Sequence, residues 1–367
     1  MNKVLLTGAT GFVGSALAAA FLARSIPVVV VSRNDPDGER TESAILDAAK
    51  GFGLNISHAI SQHLDVINVD FSDLEQCIPG DMLADVTVAW HCAAEMSYSS
   101  SKLASSFETN VGNSTRLFTM LREHSPALQR FYYMSTAFVA GMQGGPVEER
   151  LHAGARLINP YQISKWSAER ALQQLHGETG VPLTIFRPSV VTGHRKTGWA
   201  SRNGFGLYMF LDGLRAFSSA GYDHLTVDMK AGVRPDLIPV DQLTDDAVCL
   251  TLRQEERQPF EIFHCTGGLN MSTHQLMDDF GAATGVRMSY GPARTSMEQK
   301  YSRATDTNMP FANQEWHFSR AALDRTLGRP PAPTLSSEEL ATMISWYVGP
   351  SDAGTADAGT QQSALAG

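Results

Sequence analysis

The sequence has little positive charge, few cysteines and no long apolar run, and each of these shortages excludes a class of protein. Its 29 lysines and arginines face 38 aspartates and glutamates, and the net charge of −9 argues against binding to nucleic acid. The four cysteines lie far apart without metal-ligand spacing, so we expect reduced thiols and no metal site. No apolar run reaches the roughly 18 residues that cross a bilayer, so no membrane span is expected. Without a signal-peptide pattern at its start, the chain is expected to be soluble and cytoplasmic.

Short β-branched runs alternate with longer helical stretches through the first two-thirds of the chain. This alternation predicts an α/β fold, a doubly wound parallel sheet of the Rossmann type with helices on both faces. Val28–Val31 is apolar throughout, as expected of a central strand that is covered on both faces. The other predicted strands are 4–6, 66–69, 86–90, 131–134 and 183–186, and the predicted helices are 13–24, 101–124 and 161–178.

A glycine-rich loop lies between the first predicted strand and the first helix. Gly8 permits a tight turn, Gly11 lets the backbone approach a pyrophosphate, and Gly14 lets the helix pack closely on the strand. The N-terminus of the helix then offers free N–H groups to the phosphates. The loop predicts a bound dinucleotide, with contacts from Gly8, Thr10, Gly11, Phe12, Val13 and Gly14.

The residues after the second strand indicate which dinucleotide binds. An NAD site usually places an acidic residue there, which accepts a hydrogen bond from the ribose 2′-hydroxyl. This chain has Ser32 and Arg33 at that position, with Asp35 further on. Arg33 can pair with a 2′-phosphate and Ser32 can donate to it, so we expect NADP(H). A surface arginine without a ligand is the alternative.

After Gly193 the pattern becomes less regular and richer in glycine, arginine and aromatic residues. Two later runs, 237–240 and 261–264, resemble strands that rejoin the sheet. The last residues, 350–367, show no hydrophobic periodicity, which is typical of disorder. We therefore predict an NADP-binding domain that covers 1–193 and is rejoined by 236–266. A smaller substrate-binding lobe would cover 194–235 and 267–349, and a disordered tail would cover 350–367.

Tyr161 and Lys165 are four residues apart on a predicted helix and therefore share one face. A free tyrosine has a pKa of about 10, and a lysine ammonium beside it would favour the phenolate and lower that pKa. Lys165 can also hold the nicotinamide ribose. The fifth strand ends in Ser135 and Thr136, at the sheet edge where such folds bind ligands. A hydroxyl at this edge can hydrogen-bond a substrate oxygen as charge develops on it.

The glycine loop, the Ser135-Thr136 pair and the Tyr161-x-x-x-Lys165 spacing resemble the extended short-chain dehydrogenase/reductases. In that family the hydroxyl residue directly precedes an A-x-V-x-G stretch, which here is 137–141. The resemblance therefore implies Thr136, Tyr161 and Lys165 as the catalytic residues. It also implies a cofactor groove, to which Tyr161 and Lys165 belong together with Asp70, Phe71, Cys92, Ala93, Ala94, Asn110, Ser135, Arg187, Pro188 and Ser189.

Within that family the sequence looks most like the thioester-reductase and fatty-acyl-reductase branch, whose NAD-binding domain is male-sterility-like. The similarity runs from residue 3 to about 270. Asn113-Ser114 stands where the branch more often has Gly-Thr, and 34–55 is short for an acyl-reductase. The segments that carry the likeness are 135–139, 159–161, 164–166 with Glu169, 186–189 and 238–241.

The branch resemblance implies a reductase that transfers hydride from NADPH to an acyl thioester, giving an aldehyde or an alcohol. The thioester would be carried by coenzyme A or by an acyl carrier protein, and Tyr161 would be the general acid. The first alternative is a ketone or aldehyde reductase of the dihydroflavonol-reductase-like type. A sugar epimerase and a non-catalytic NADP-binding regulator follow it. A homodimer is left open.

Arg195, Lys196 and Arg202 place three positive charges in one loop of an acidic chain. Because carrier proteins are acidic and coenzyme A carries phosphates, such a loop would steer either one toward the site. A solvated loop without a specific role is equally consistent with the sequence.

Overall fold

The structure is a computed structural model that describes residues 2–71, 73–202, 206–253, 255 and 257–349. The predicted tail at 350–367 lies outside the described residues. The chain divides into two units, of which the first comprises the residues up to 189, 240–266 and 318–332, and the second comprises 190–239, 267–317 and the residues from 333 onward.

The secondary structure alternates between strands and helices over most of the chain. The strands are β1 (Val4–Thr7), β2 (Val28–Ser32), β3 (Leu64–Asn68), β4 (Val88–His91), β5 (Arg130–Met134), β6 (Gly145–Val147), β7 (Leu183–Pro188), β8 (Val190–Thr192), β9 (His224–Val227), β10 (Leu237–Pro239), β11 (Phe260–Cys265), β12 (Arg287–Tyr290) and β13 (Trp316–Phe318). The helices are α1 (Phe12–Leu22), α2 (Glu39–Phe52), α3 (Ser57–His63), α4 (Leu74–Cys77), α5 (Gly80–Leu83), α6 (Leu103–Phe107), α7 (Asn113–His124), α8 (Pro160–Thr179), α9 (Tyr208–Ser219), α10 (Val240–Leu252), α11 (Thr273–Thr284), α12 (Ser296–Thr305), α13 (Met309–Ala312), α14 (Ala321–Leu327) and α15 (Ser337–Val348).

The first unit contains a sheet of seven strands in the order β11-β7-β5-β4-β1-β2-β3. Every neighbouring pair in this sheet is parallel. Strands β1 and β2 are buried along their whole length, which is why their sequences are mostly apolar without alternation. The predicted doubly wound α/β fold is confirmed. Because the strand order reverses between β1 and β4, the crevice at their carboxyl ends is the place where this fold binds ligands.

Two predicted elements differ from the structure. The prediction that 237–240 rejoins the main sheet is wrong, because β10 pairs with β8 in a two-stranded sheet of the second unit. The strand is only three residues long, and Pro239 has no N–H with which to extend a ladder. The predicted helix 101–124 is interrupted by a π-helical turn at Glu108–Gly112, which separates α6 from α7.

Helix α1 begins directly on the turn that follows β1. The turn residue Gly8 has φ +77°, and Gly11 donates its backbone N–H to the Gly8 carbonyl at 3.0 Å. A Cβ added to Gly14 would lie 2.1 Å from the same carbonyl oxygen, far inside contact distance. The helix can therefore approach the turn only because position 14 has no side chain.

We expect Gly14→Ala to destabilise the protein by about 3 kcal/mol or more, because backbone must move to admit the methyl group. The matched control is Gly177→Ala, in the exposed part of helix α8, where an added Cβ meets nothing within 4 Å. That control should gain roughly 0.5–1 kcal/mol from reduced unfolded-state entropy. Thermal or denaturant unfolding of both variants measures the difference, and similar stability of the two would contradict the packing argument.

In the second unit, the basic loop after β8 is fastened to α15. The Arg195 guanidinium donates to both carboxylate oxygens of Glu339, at 3.2 and 3.3 Å, and to the carbonyl of Pro333 at 2.7 Å. The Arg202 guanidinium donates to the carbonyls of Trp346 and Tyr347 at the C-terminal end of α15, where the helix dipole favours a cation. Arg195 and Arg202 are therefore bound to α15 rather than free in solvent, although Arg202 is still exposed, as is Lys196.

We expect Arg195→Glu to lower the unfolding free energy by about 1–2 kcal/mol, because it replaces a pair with two facing carboxylates. Adding Glu339→Arg should recover part of this loss. A double-mutant cycle from unfolding midpoints gives the coupling between the two side chains. A coupling of zero would show that the pair contributes nothing to the attachment of the loop.

Candidate active site

A chain of buried polar groups connects the ends of β1 and β4. Thr7 Oγ1 lies 2.7 Å from His91 Nδ1, and His91 Nε2 lies 2.9 Å from Ser114 Oγ. Since Ser114 donates its proton to the Asn110 carbonyl, Nε2 must carry the imidazole proton and Nδ1 must accept from Thr7. Burial lowers the His91 pKa to about 3, assisted by the charge of Lys165 in the same direction, so the ring is neutral.

The glycine turn lies against the loop that follows β4. Thr7 Oγ1 accepts a hydrogen bond from the Ala93 backbone N–H at 3.1 Å. A Cβ on Gly8 would lie 2.7 Å from the Ala93 nitrogen, so this close approach also requires glycine. No side chain caps the N-terminus of α1 at Gly11, and its first turn has no acidic residue. The N–H groups at this end are thus suited to bind phosphate.

The remaining predicted residues of this loop and of the neighbouring strand ends take different positions. Thr10 is exposed, Phe12, Val13, Cys92 and Ala94 are partly exposed, and Asp70 is exposed after the end of β3. Phe71 instead packs its side chain into the apolar core, so only its backbone can reach a ligand.

The acidic residue after the end of β2, Asp35, is buried and hydrogen-bonded to the start of α2. The buried Asp35 carboxylate accepts hydrogen bonds from the backbone N–H groups of Arg40 and Thr41 and from the Thr41 hydroxyl. Burial tends to raise its pKa, but these hydrogen bonds hold the pKa below its usual value. Asp35 therefore caps α2 and remains ionised. The Thr41 hydroxyl also lies 3.1 Å from that of Ser32.

The Arg33 guanidinium is exposed and has no hydrogen-bond or ion-pair partner within the described part of the chain. Arg40, seven residues further on, donates to the Arg33 carbonyl at 2.5 Å and so lies at the same strand end. Arg40 was not predicted as a site residue, because its only signal in the sequence is that of an arginine at the start of the next helix. Two cationic side chains thus lie together at the end of β2.

The Thr136 hydroxyl lies beside the Tyr161 phenol, close enough to lower its pKa. Thr136 Oγ1 also accepts from the Phe138 backbone N–H at 3.3 Å. The Tyr98 ring lies 6.2 Å from the Tyr161 ring, so Tyr98, which follows β4, also belongs to this cluster. Burial raises the pKa of Tyr98 to about 12.

Lys165 takes a different position from the predicted one. Its Nζ donates to the Met134 carbonyl at 2.7 Å and lies 4.6 Å from the centre of the Tyr133 ring. Burial lowers the Lys165 pKa to about 8, against the opposing charges of Cys92 and Glu169. The expected lowering of the Tyr161 pKa is not found: burial raises that pKa, the Tyr98 phenol adds to the rise, and the hydrogen bond from Thr136 opposes it.

Asn110 and Gln162 hold the surrounding elements together. Asn110, in the π-helical turn, accepts from the Glu95 N–H at 2.7 Å and donates to the Glu95 carbonyl and to Ser164 Oγ at 2.9 and 2.8 Å. Gln162 donates to the Phe138 carbonyl at 2.9 Å and accepts from the Ile158 N–H at 3.0 Å. Gln162, which no sequence signal identified, thereby joins the segment that begins at Thr136 to the start of α8.

Predicted residues at the ends of β5 and β7 are committed to contacts within the first unit. Ser135 Oγ donates to Glu169 at 2.6 Å, and the wholly buried Arg187 guanidinium also binds Glu169. Pro188 and Ser189 are buried beside them. Any cofactor contact of Arg187 must therefore use its backbone.

Two features are absent from the described residues. They contain no group of histidine, cysteine, aspartate and glutamate side chains that could hold a metal ion. None of their helices is both long and apolar enough to cross a membrane.

Curated relatives of the chain are much longer proteins. An isonitrile lipopeptide synthase of Streptomyces coeruleorubidus is 25% identical over 290 residues, which cover 76% of this chain and 19% of that protein. A carboxylic acid reductase of Segniliparus rugosus is 30% identical over 219 residues, which cover 53% of this chain and 18% of that protein. The chain thus spans about a fifth of the length of these relatives.

Solved structures share the fold over nearly the whole chain. The terminal R domain from the myxalamid PKS-NRPS biosynthetic pathway superposes with a TM-score of 0.74 at 20% identity, covering 95% of this chain and 90% of that one. A UDP-glucuronic acid 4-epimerase from Bacillus cereus in complex with NAD gives a TM-score of 0.67 at 20% identity, covering 94% and 96%.

The family comparison covers more than half of the chain. The match is to the NAD-binding family described as male sterility protein and extends over residues 6–246. Together with the parallel sheet and the glycine turn, the match shows that the chain belongs to the male sterility protein family of NAD-binding oxidoreductase domains, on an extended short-chain dehydrogenase/reductase fold.

Proposed function

We propose that the chain is an NADPH-dependent reductase that transfers hydride to an acyl thioester and releases an aldehyde or an alcohol. The observation that carries this proposal is the placement of the Thr136 hydroxyl beside the Tyr161 phenol, with Lys165 one turn along the same helix. Relatives described as a carboxylic acid reductase and as a terminal R domain support a carrier-bound or coenzyme A thioester as the substrate.

The residues at the sheet edge fit a bound dinucleotide. A Cβ would fill the space beside Gly8, and the uncapped end of α1 offers its N–H groups to a pyrophosphate. Arg33 and Arg40 supply positive charge for a 2′-phosphate, and Asp35 is occupied as the cap of α2. These features favour NADPH over NADH.

The pKa shifts suit Tyr161 as a proton donor. Because burial raises its pKa, Tyr161 stays a protonated phenol at neutral pH. When NADPH is bound, it supplies the hydride that adds to the thioester carbonyl carbon. As negative charge grows on the carbonyl oxygen, Thr136 donates a hydrogen bond to it and Tyr161 transfers its proton. The C–S bond of the hemithioacetal then breaks, its hydroxyl proton leaves with the thiol, and the aldehyde remains. Reduction to the alcohol would need a hydride from a second NADPH and a second proton.

Lys165 would act on Tyr161 after leaving the Met134 carbonyl. At pH values below its pKa of about 8, Lys165 carries a positive charge. This charge would stabilise the phenolate that remains once Tyr161 has given up its proton. Thus Lys165 would lower the cost of the proton transfer without first ionising the phenol. The same side chain could hold the nicotinamide ribose.

The finding on the basic loop favours the second candidate, a reductase of an uncharged ketone or aldehyde. Arg195 is paired with Glu339, so the loop offers one positive charge fewer for steering a carrier protein or coenzyme A than the sequence indicated. Comparing kcat/KM for an acyl thioester with that for the matching aldehyde separates the two candidates. Turnover of the aldehyde without any turnover of the thioester would favour the carbonyl reductase.

We expect Tyr161→Phe to reduce kcat by at least roughly a hundred-fold, because the proton donor is lost, while NADPH binding is kept. The control is Tyr132→Phe, because the Tyr132 hydroxyl donates to the Leu250 carbonyl and lies away from Thr136 and Tyr161. Steady-state kinetics and NADPH fluorescence titration measure the two effects. Retention of most of the turnover in Tyr161→Phe would reject Tyr161 as the acid.

We expect Arg33→Asp to weaken NADPH binding by about 2–4 kcal/mol, because a charge-assisted pair is replaced by repulsion. NADH binding should stay the same or improve. Arg40→Ala should show the same preference with a smaller loss, whereas the control Arg116→Ala, on α7, should affect neither cofactor. Equal affinity of the unmodified protein for NADH and NADPH, by fluorescence titration, would contradict this site.

A further inference from the structure

Helix α8 carries a third buried polar side chain on the face of Tyr161 and Lys165. Glu169 lies one turn beyond Lys165 and is 1% exposed. One of its carboxylate oxygens, Oε1, accepts from Ser135 Oγ at 2.6 Å and from Arg187 Nε at 2.8 Å. The other, Oε2, accepts from Arg187 Nη2 at 2.6 Å. The carboxylate thus joins the end of β5 to the end of β7.

The Arg187 side of this contact is fixed as well. Its Nη1 donates to the Arg150 carbonyl at 2.9 Å and lies 3.4 Å from His264 Nε2. Because His264 Nδ1 lies 2.9 Å from the Ser319 carbonyl, Nδ1 must carry the proton and Nε2 must accept from Arg187. Burial lowers the His264 pKa to about 3, with the Arg187 charge adding to the effect, so the ring is neutral. Every partner of Arg187 is therefore an acceptor, and the guanidinium cannot turn away from Glu169.

Three side chains of α8 lie against three consecutive residues at the end of β5. Lys165 binds the Met134 carbonyl, Glu169 binds the Ser135 hydroxyl, and Tyr161 lies beside the Thr136 hydroxyl. The middle contact is the only one of these three that does not involve a predicted catalytic side chain. Its geometry would therefore stay fixed while Lys165 and Tyr161 change partners during a reaction.

We propose that Glu169 is a positioning residue for the reduction: through Ser135 it fixes Thr136 opposite Tyr161, and Arg187 holds its carboxylate in place. This inference rests on the proposed function of Thr136, Tyr161 and Lys165. Stability alone is a weak reason for the arrangement, because a buried ion pair is often no better than apolar side chains of similar volume.

The charge of Glu169 also bears on Lys165. Lys165 faces Cys92 after β4, the Tyr133 ring and Met134 carbonyl of β5, the neutral His91 of β4, and Glu169 on its own helix. Burial lowers the Lys165 pKa, and Glu169 opposes this lowering. Removing the carboxylate should therefore lower the pKa of Lys165 further, so that its charge is lost at a lower pH.

The test uses two routes to the same contact. Ser135→Ala removes only the hydroxyl that binds Glu169, and Glu169→Gln with Arg187→Met removes the buried charges as a pair, so that neither is left uncompensated. The control is Glu261→Gln, at the amino-terminal start of β11, where Glu261 forms a buried pair with Arg130 at the opposite edge of the same sheet. Each variant is measured for kcat, KM, NADPH affinity, melting temperature and the pH profile of kcat/KM.

We expect Ser135→Ala and the double variant to lose roughly ten- to a hundred-fold in kcat, with KM and NADPH affinity changed less than about three-fold. The basic limb of the pH profile should move to lower pH in the double variant, whereas Glu261→Gln should lower only the melting temperature. Unchanged kcat and pH profile in the double variant would overturn the proposal. Loss of NADPH affinity in Ser135→Ala with kcat kept would also overturn it, because Ser135 would then be a cofactor ligand.

A readout without turnover separates this inference from the proposed function. NMR titration of isotope-labelled lysine gives the Lys165 pKa in the unmodified protein and in the double variant. A lower pKa in the double variant supports the role of Glu169 even if no thioester or carbonyl substrate is turned over. An unchanged pKa contradicts it even if the protein is an active reductase.

Discussion

The hydrogen bond between Thr7 and His91 joins the two strands between which the sheet reverses its order. The rest of the site depends on it. Through Thr7 the loop after β4 is held against the glycine turn, and through Ser114 the imidazole reaches the backbone of the π-helical turn. That turn carries Asn110, which binds α8 at Ser164. One neutral imidazole thus connects the cofactor turn to the helix that carries Tyr161 and Lys165.

Burial sets the resting protonation of the proposed catalytic pair. It favours the neutral phenol of Tyr161 and works against the ammonium of Lys165, so neither group is poised by simple proximity to the other. Cys92 and Glu169, one turn away, oppose the effect of burial, so the Lys165 pKa is lowered only to about 8. A proton donor that remains protonated suits reduction, since charge develops on the substrate oxygen only as hydride arrives. The cationic partner is then needed mainly in the transition state.

The sequence predicted what depends on local pattern and failed where distant residues decide. Apolar runs located β1 and β2, and the i, i+4 spacing placed Tyr161 and Lys165 on one helix face, because periodicity is a property of neighbouring residues. The partners of Arg195 and Arg202 are more than a hundred residues away, so their charges looked solvated. Similarly, nothing near Lys165 in the sequence indicates that its nearest acceptor is the Met134 carbonyl.

A shared fold does not decide the cofactor, because the choice rests on a few atoms at the end of β2. A Bacillus cereus epimerase in complex with NAD has this fold at a TM-score of 0.67, yet at 20% identity it carries no information about those atoms. In this chain the acidic Asp35 is bonded to the start of α2 and buried, so it cannot also accept from a ribose hydroxyl. An arginine pair is left at the surface of the same strand end. Capping one helix therefore occupies the acidic side chain at this strand end, and two cationic side chains remain exposed there.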